Sequence, residues 1–402
     1  MKMKLFLGAV AYCVGMMWAC AEVDEAWVRD RWENAFELYR EIPKEEGNVV
    51  FSPYGASTLM GLAYGGARGE TATQIEKGFH FTSDPKFHEQ MGETITKING
   101  LNEKGVLDLL TKNSLWVQNG FEIESEFEAL VKNQYQAHVQ NLDLQGKSEE
   151  SANAINAWIS EQTRNFIQNV VTPALVKPSL LLAVNTIYMK GIWQSPFDVG
   201  STQKRDFNVP KKPTFSVWTM HKQADFAYTE TERFKAIRLP YQSVAANKTA
   251  LLILLPQKYE LIEETEKNVN AAIVMDLWTK LKREEVNLYL PKFSFERKIG
   301  LVKSAQALGV RDLFDLNVNL SGISRNDLLV SDYFQQAKIE LDEKGTVASA
   351  VTVMTKRGGA PSLSLESEPK LFRADHPFLF FIIEPETKTI LFMGRVTDPT
   401  LQ

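Results

Sequence analysis

Nucleophilic catalysis needs a serine, cysteine or threonine held beside a base, with a third group orienting that base. The chain offers little of this. Its two cysteines, Cys13 and Cys20, fall near the amino terminus, and neither a Gly-x-Ser-x-Gly nor a His-Glu-x-x-His run occurs. Ser52 and Ser57 stand at the start of a helical pattern, where capping is the ordinary role. His80, His88, His138 and His221 have no mutual spacing that would assemble a metal site. The stretch that asks for an explanation is instead "VASAVTVMT", Val347 to Thr355, which has no charge, no Gly and no Pro. Its β-branched, uncharged character suits a buried strand. It is followed by "KRGGAPSLSLESE", polar and rich in Ser and Gly, which reads as a surface loop.

The surrounding elements limit what such a segment can do. The chain of 402 residues is 44% hydrophobic and 24% charged. That length and composition can bury a large core. A net charge of −5, with 45 Lys and Arg against 50 Asp and Glu and no long basic block, gives nucleic-acid binding no support. Lys2 and Lys4 precede an apolar stretch from Leu5 to Trp18 that ends in "WACAE", the pattern of a secretory leader over residues 1–21. Removal of that leader would leave a single domain over 22–402 without a disulfide. "MWAC" also allows a second processing route, in which Cys20 becomes the lipidated first residue of a bacterial lipoprotein and the protein is membrane-anchored.

In "DEAWVRDRWENAFELYREI", apolar residues recur every three or four positions, which predicts a helix; "FSPYGAS" then caps a second one. "SLWVQ" reads as a strand, and "SANAINAWISEQTRNFIQNVV" as a helix running to Val171. From there the character changes to strand candidates: "LLLAVNTIYM", "KAIRLPY", "ALLILLP", "EVNLYLPKFSF", "AKIELD", "HPFLFFIIE" and "TILFMGRV". A helix-rich first half and a strand-rich second half predict an α+β fold.

Several of these blocks, in order, resemble the serpin family. They are "FSPYGASTLMGLAYGGARGETATQI", "NTIYMKGIW", "LPYQS", "ALLILLP", "LYLPKFSFE", "LGVRDLFD", "LSGIS", "AKIELDEKGT" and "FRADHPFLFFIIEPETKTILFMGRVTDP". The resemblance covers essentially the whole chain after the leader. It implies helices around three β-sheets, a large central sheet, and an exposed reactive-centre loop over about 343–373. It implies no cofactor, no metal and no enzymatic turnover. A serine protease, or in some members a cysteine protease, would cut the loop, and the loop would insert into the central sheet before the acyl-enzyme hydrolyses.

On this resemblance Glu343, Lys344, Gly345 and Thr346 are the hinge, with Val347, Ala348, Ser349 and Ala350 the first residues to enter the sheet. Gly345 would supply the backbone freedom to turn from loop to entering strand. Period-two counting places Thr346, Ala348, Ala350, Thr352 and Met354 on one face, only the last of them large. Family spacing from the hinge lands on a Gly359–Ala360 bond, though Gly359 is a poor anchor for a specificity pocket; Lys356 and Arg357 suit a trypsin-like protease, Ala360 an elastase-like one, and Leu363 and Leu365, which lie late, a chymotrypsin-like one. Counting back from "HPF" lands on Glu366 instead. Trp193 takes the breach position at the top of the sheet. Ser52, Asn185 and Gln335 match the positions that hold the sheet closed, with Gln335 where histidine is common and Gly55 where a second serine is usual. The expected partner is a target protease, the expected state a monomer, and the expected location secreted or extracellular, with a lipid anchor at a bacterial cell surface as the alternative.

Overall fold

The computed structural model describes residues 25–43, 47–243, 249–345 and 368–401. The expected leader with Cys20 lies outside the described residues. So do Thr346, Val347, Ala348, Ser349, Ala350, Lys356, Arg357, Gly359 and Ala360.

The helices are α1 (Glu25–Glu41), α2 (Pro53–Gly66), α3 (Gly69–Phe79), α4 (Phe87–Gly100), α5 (Ser125–Asn133), α6 (Ser148–Gln162), α7 (Pro173–Val176), α8 (Ile262–Asn268), α9 (Ala271–Lys280) and α10 (Val302–Ala307). The first seven strands are β1 (Val49–Phe51), β2 (Leu107–Gln118), β3 (His138–Leu142), β4 (Leu181–Gly191), β5 (Gln203–Phe207), β6 (Phe215–Glu230) and β7 (Phe234–Pro240). The rest are β8 (Ala250–Pro256), β9 (Lys282–Pro291), β10 (Phe293–Gly300), β11 (Val330–Leu341), β12 (Lys370–Arg373), β13 (Phe378–Glu384) and β14 (Thr389–Val396). None of the described helices is long and apolar enough to cross a membrane.

The fold is α+β, with helices packed around β-sheets. Its described strands form two hydrogen-bonded sheets instead of three separate ones. One has five strands in the order β10-β11-β4-β2-β3; the other has nine, β1-β14-β13-β8-β7-β6-β9-β12, with β5 on β6. The reason is β6, a strand of 16 residues that pairs with β5 near its start and with β7 at its end, so two sheets become one continuous path. Sequence reading misses β6 because its polar residues obscure the period-two pattern. It also takes "EVNLYLPKFSF" as one strand. At Lys292 the chain leaves β9 in the nine-stranded sheet and enters β10 in the five-stranded one.

The five-stranded sheet is covered on both faces. Ala183, Ile187, Met189, Tyr333, Ala337 and Ile339 join the main core, which includes α2. Leu182, Val184, Tyr188 and Phe334 pack on Ile155 and Ile159 of α6 in a second cluster. Such two-sided burial explains why these strands lack clean alternation in sequence.

The helix expected to reach Val171 stops at Gln162. Arg164, Asn165 and Asn169 take positive φ, at 52°, 64° and 56°. An α-helix cannot continue through this left-handed geometry. The segment from Thr163 to Thr172 becomes a strap over the sheet. Arg164 pairs with Asp108 of β2, and Phe166 stacks on Tyr188 of β4 at 4.2 Å. Lys298 of β10 donates to the Val170 carbonyl at 2.6 Å. The strap therefore spans the join between β4 and β11.

Candidate functional site

β4 and β11 run parallel and pair directly, from Leu181 with Val330 to Met189 with Ile339. Their other neighbours, β2 and β10, are antiparallel to them. A strand that turned back after β11 and entered this seam would be antiparallel to both sides. It would exchange one slanted parallel ladder for two antiparallel ones. Because the seam is buried on both faces, anything entering it must be uncharged or fully paired.

Beneath the seam lies a row of side-chain amides. Asn113, Asn185 and Gln335 sit opposite one another on β2, β4 and β11. Asn185 donates to Asn113 Oδ1 at 2.8 Å, and Gln335 Nε2 donates to Asn185 Oδ1 and to the Ser52 carbonyl, each at 2.9 Å. Gln335 Oε1 accepts from the Ser52 amide at 2.6 Å, and the Ser52 hydroxyl caps α2 by accepting from Gly55 N at 3.0 Å. Ser52, Asn185 and Gln335 are fully buried. The structure thus brings the three sequence-matched residues together and adds Asn113, which its own sequence context does not single out. The glycine at position 55 also has a physical reason. A Cβ there would fall on the Asn185 side-chain oxygen and within 2.8 Å of Gln335 Nε2. Asn185 and Gln335 together occupy the room that a serine at position 55 would need.

At the upper end of the seam, Asp342 to Gly345 form a tight turn. Asp342 N donates to Gly345 O at 2.8 Å and Gly345 N to Asp342 O at 3.2 Å. Trp193 reads this turn twice, its amide donating to Lys344 O at 2.9 Å and its indole to Asp342 O at 3.0 Å. The indole is buried and stacked on Tyr241 at 4.6 Å. Gly345, the source of backbone freedom in the expected hinge, is pinned here. Its φ is +125°, and a Cβ would fall on the Gly191 carbonyl and 2.6 Å from Trp193 N. Both the dihedral and the lack of room exclude a side chain. Glu343 is also fixed, with Phe197 N donating to its carbonyl at 2.7 Å. Its buried carboxylate pairs with Lys292 at 2.8 Å and accepts from Thr202 Oγ1 at 2.8 Å. Burial alone would raise the Glu343 carboxyl, but the hydrogen bonds from Lys292, its own amide and Thr202, with the Lys292 charge, hold it below the ordinary value. Lys292 and Thr202 carry no signal in the sequence that marks them for this role.

Residues 370–373, placed in the loop by the family spacing, form β12 and pair with β9 in parallel. The described residues contain no group of three or more His, Cys, Asp or Glu arranged to hold a metal ion.

Comparisons agree with this architecture. Residues 32–399 match the family described as Serpin (serine protease inhibitor). An uncharacterized serpin-like protein of Thermococcus kodakarensis is 34% identical over 90% of this chain and 84% of its own length. The crystal structure of Serpin48, described as a highly specific serpin of the insect Tenebrio molitor, superposes with a TM-score of 0.80. It is 29% identical and covers 95% of this chain and 100% of its own. Human thyroxine-binding globulin in complex with its ligand superposes with a TM-score of 0.80 at 25% identity, over 94% of this chain and 99% of its own.

Proposed function

The chain belongs to the serpin family and is not an enzyme, and from that premise we propose that it is a suicide-type inhibitor of serine proteases. The protease serine attacks a carbonyl in 356–360, the peptide C–N bond breaks, the new amino terminus leaves, and an ester joins the two proteins. The freed segment from Thr346 onward then enters the β4–β11 seam and carries the protease with it. Fourteen residues at about 3.3 Å each give roughly 46 Å of travel. Deacylation fails because insertion outruns water. Arg357 serves a trypsin-like protease best, and Gly359–Ala360 an elastase-like one. The leader over 1–21 directs the protein outside the cytoplasm, with lipidation at Cys20 as the anchored form.

The observation that carries this reading is the seam. It is a parallel pair buried on both faces, joined through the turn at Gly345 to a segment whose first ten residues are uncharged. The test is Thr346→Arg. An unpaired charge would slow entry into a buried slot. The number of inhibitor molecules consumed per protease trapped should rise several-fold, with less denaturant-stable complex on gels. An unchanged stoichiometry would refute insertion through this seam.

A second reading, a non-inhibitory carrier, has one observation in its favour. An apolar cavity of about 480 Å³ opens between α1, α9 and the end of β13, lined by Trp32, Met275, Trp278 and Ile383 with Arg29 and Lys388 at its polar side. Clean cleavage of the chain by every protease tried, without complex, would favour that reading.

A further inference from the structure

The outer face of the nine-stranded sheet carries a cluster of cations that the reading above does not use. His221, Tyr289 and Arg373 stand in register across β6, β9 and β12. The His221 ring stacks on Tyr289 at 4.5 Å, and the guanidinium carbons of Arg205 and Arg373 lie 4.6 and 5.3 Å from the Tyr289 ring centroid. His221 Nε2 is engaged by Asn287 Oδ1 at 2.6 Å. Among the described residues, neither arginine has a carboxylate or hydrogen-bond partner, and the buried Nε of Arg205 is left without an acceptor. Asp375, two residues beyond Arg373, is engaged by His376. Two guanidinium groups held against one phenol ring, with their donors unfilled, are built to receive an anion.

We propose that this cluster docks a carboxylate-bearing surface segment of the protease that attacks the loop. The occupant follows from position and charge. β12 is the edge strand of its sheet and follows residues 346–367 in the chain, so the cluster stands on the element into which the attacked segment leads. Exposed Leu371 shares the outer face of β12 with Arg373 and adds an apolar contact of the kind protein partners use. The proposal rests on the reading of 346–367 as the attacked segment, though not on the insertion step.

The test measures the second-order rate of loop attack, counting complexed and cleaved chain together, with the fastest protease of a panel. Arg205→Gln with Arg373→Gln should lower it roughly 10-fold at low salt, because opposed charges act mainly on encounter. The difference should vanish near 1 M salt, where the screening length is about 3 Å. Arg205→Lys with Arg373→Lys should keep most of the rate, and melting temperatures of both variants should match the parent. Equal rates at low salt, or a deficit that persists at 1 M, overturns the proposal. Unchanged rates with lost retention on a sulfated-polysaccharide column would assign the cluster to a polysaccharide and overturn it too. If the parent chain is cleaved but never trapped, the inhibitor reading fails while the comparison of attack rates still decides this one.

Discussion

Glu343→Ala removes the carboxylate that fastens the turn at the top of the seam. In the parent, that carboxylate takes two bonds from Lys292, at 2.8 and 3.2 Å, and one from Thr202 at 2.8 Å. Hydrogen bonds to a charged group contribute about 1.5–3 kcal/mol each when buried. Lys292 is more than one-third exposed and recovers much of its hydration when released, so the net loss is about 2 kcal/mol. If the latch is fully broken in the transition state for entry, uncleaved chain should convert to the inserted form about 30-fold faster. Incubation just below the melting temperature, with samples withdrawn for inhibitory capacity and for the appearance of a more heat-resistant form, gives that rate. Trp193 offers a fluorescence signal of the same event, since its indole bonds the turn directly. Glu124→Ala, which removes the surface pair with Arg325, is the control and should leave the rate unchanged. A Glu343→Ala protein that is less stable yet converts at the parent rate would refute the latch, because its contacts would then persist in the transition state.

Three further outcomes are expected from the same structure. Asp108→Asn frees one end of the strap, and the gain in thermal stability after loop cleavage should appear several-fold sooner; an unchanged insertion rate would show that the strap moves without resistance. Gly55→Ala should lower stability to urea by about 1–3 kcal/mol by crowding the amide row; a neutral result would remove the steric account of that glycine. His88, whose Nδ1 lies 2.6 Å from the Tyr135 hydroxyl, is pushed down to about 4 by burial and then by Arg68. Between its ordinary value near 6.5 and about 4 the unfolded chain binds the extra proton, so stability should decrease as pH is lowered through that window, and His88→Gln should flatten the slope.

Much of the fold was legible because long apolar runs such as "ALLILLP" and "FLFFIIE" admit few alternatives, and both are buried strands, β8 and β13. The amide row was legible only in part. Ser52, Asn185 and Gln335 stand out by their places in family blocks, whereas Asn113 lies in "LDLLTKN", where nothing marks the first half of β2. Lys292 and Glu343 are far apart in sequence and meet only because β10 and β11 pair in register. The strap reads as helix because "NFIQNVV" keeps an apolar spacing. Left-handed residues end that helix, and asparagine, which adopts this conformation more readily than most residues, is the available warning.

The fit between Gly55 and Gln335 also limits how this sequence can change. The Asn185 and Gln335 side chains, bonded to each other, occupy the volume that a Cβ at position 55 would fill. A larger residue at 55 collides with Asn185 first and Gln335 second, so shrinking 335 alone does not admit it, and a smaller residue at 335 leaves buried donors and acceptors on Ser52 and Asn185 without partners. Either single step descends in fitness before the pair can reach another solution. The seam's fastening should therefore be inherited as a unit, with positions 55, 185 and 335 changing together or not at all.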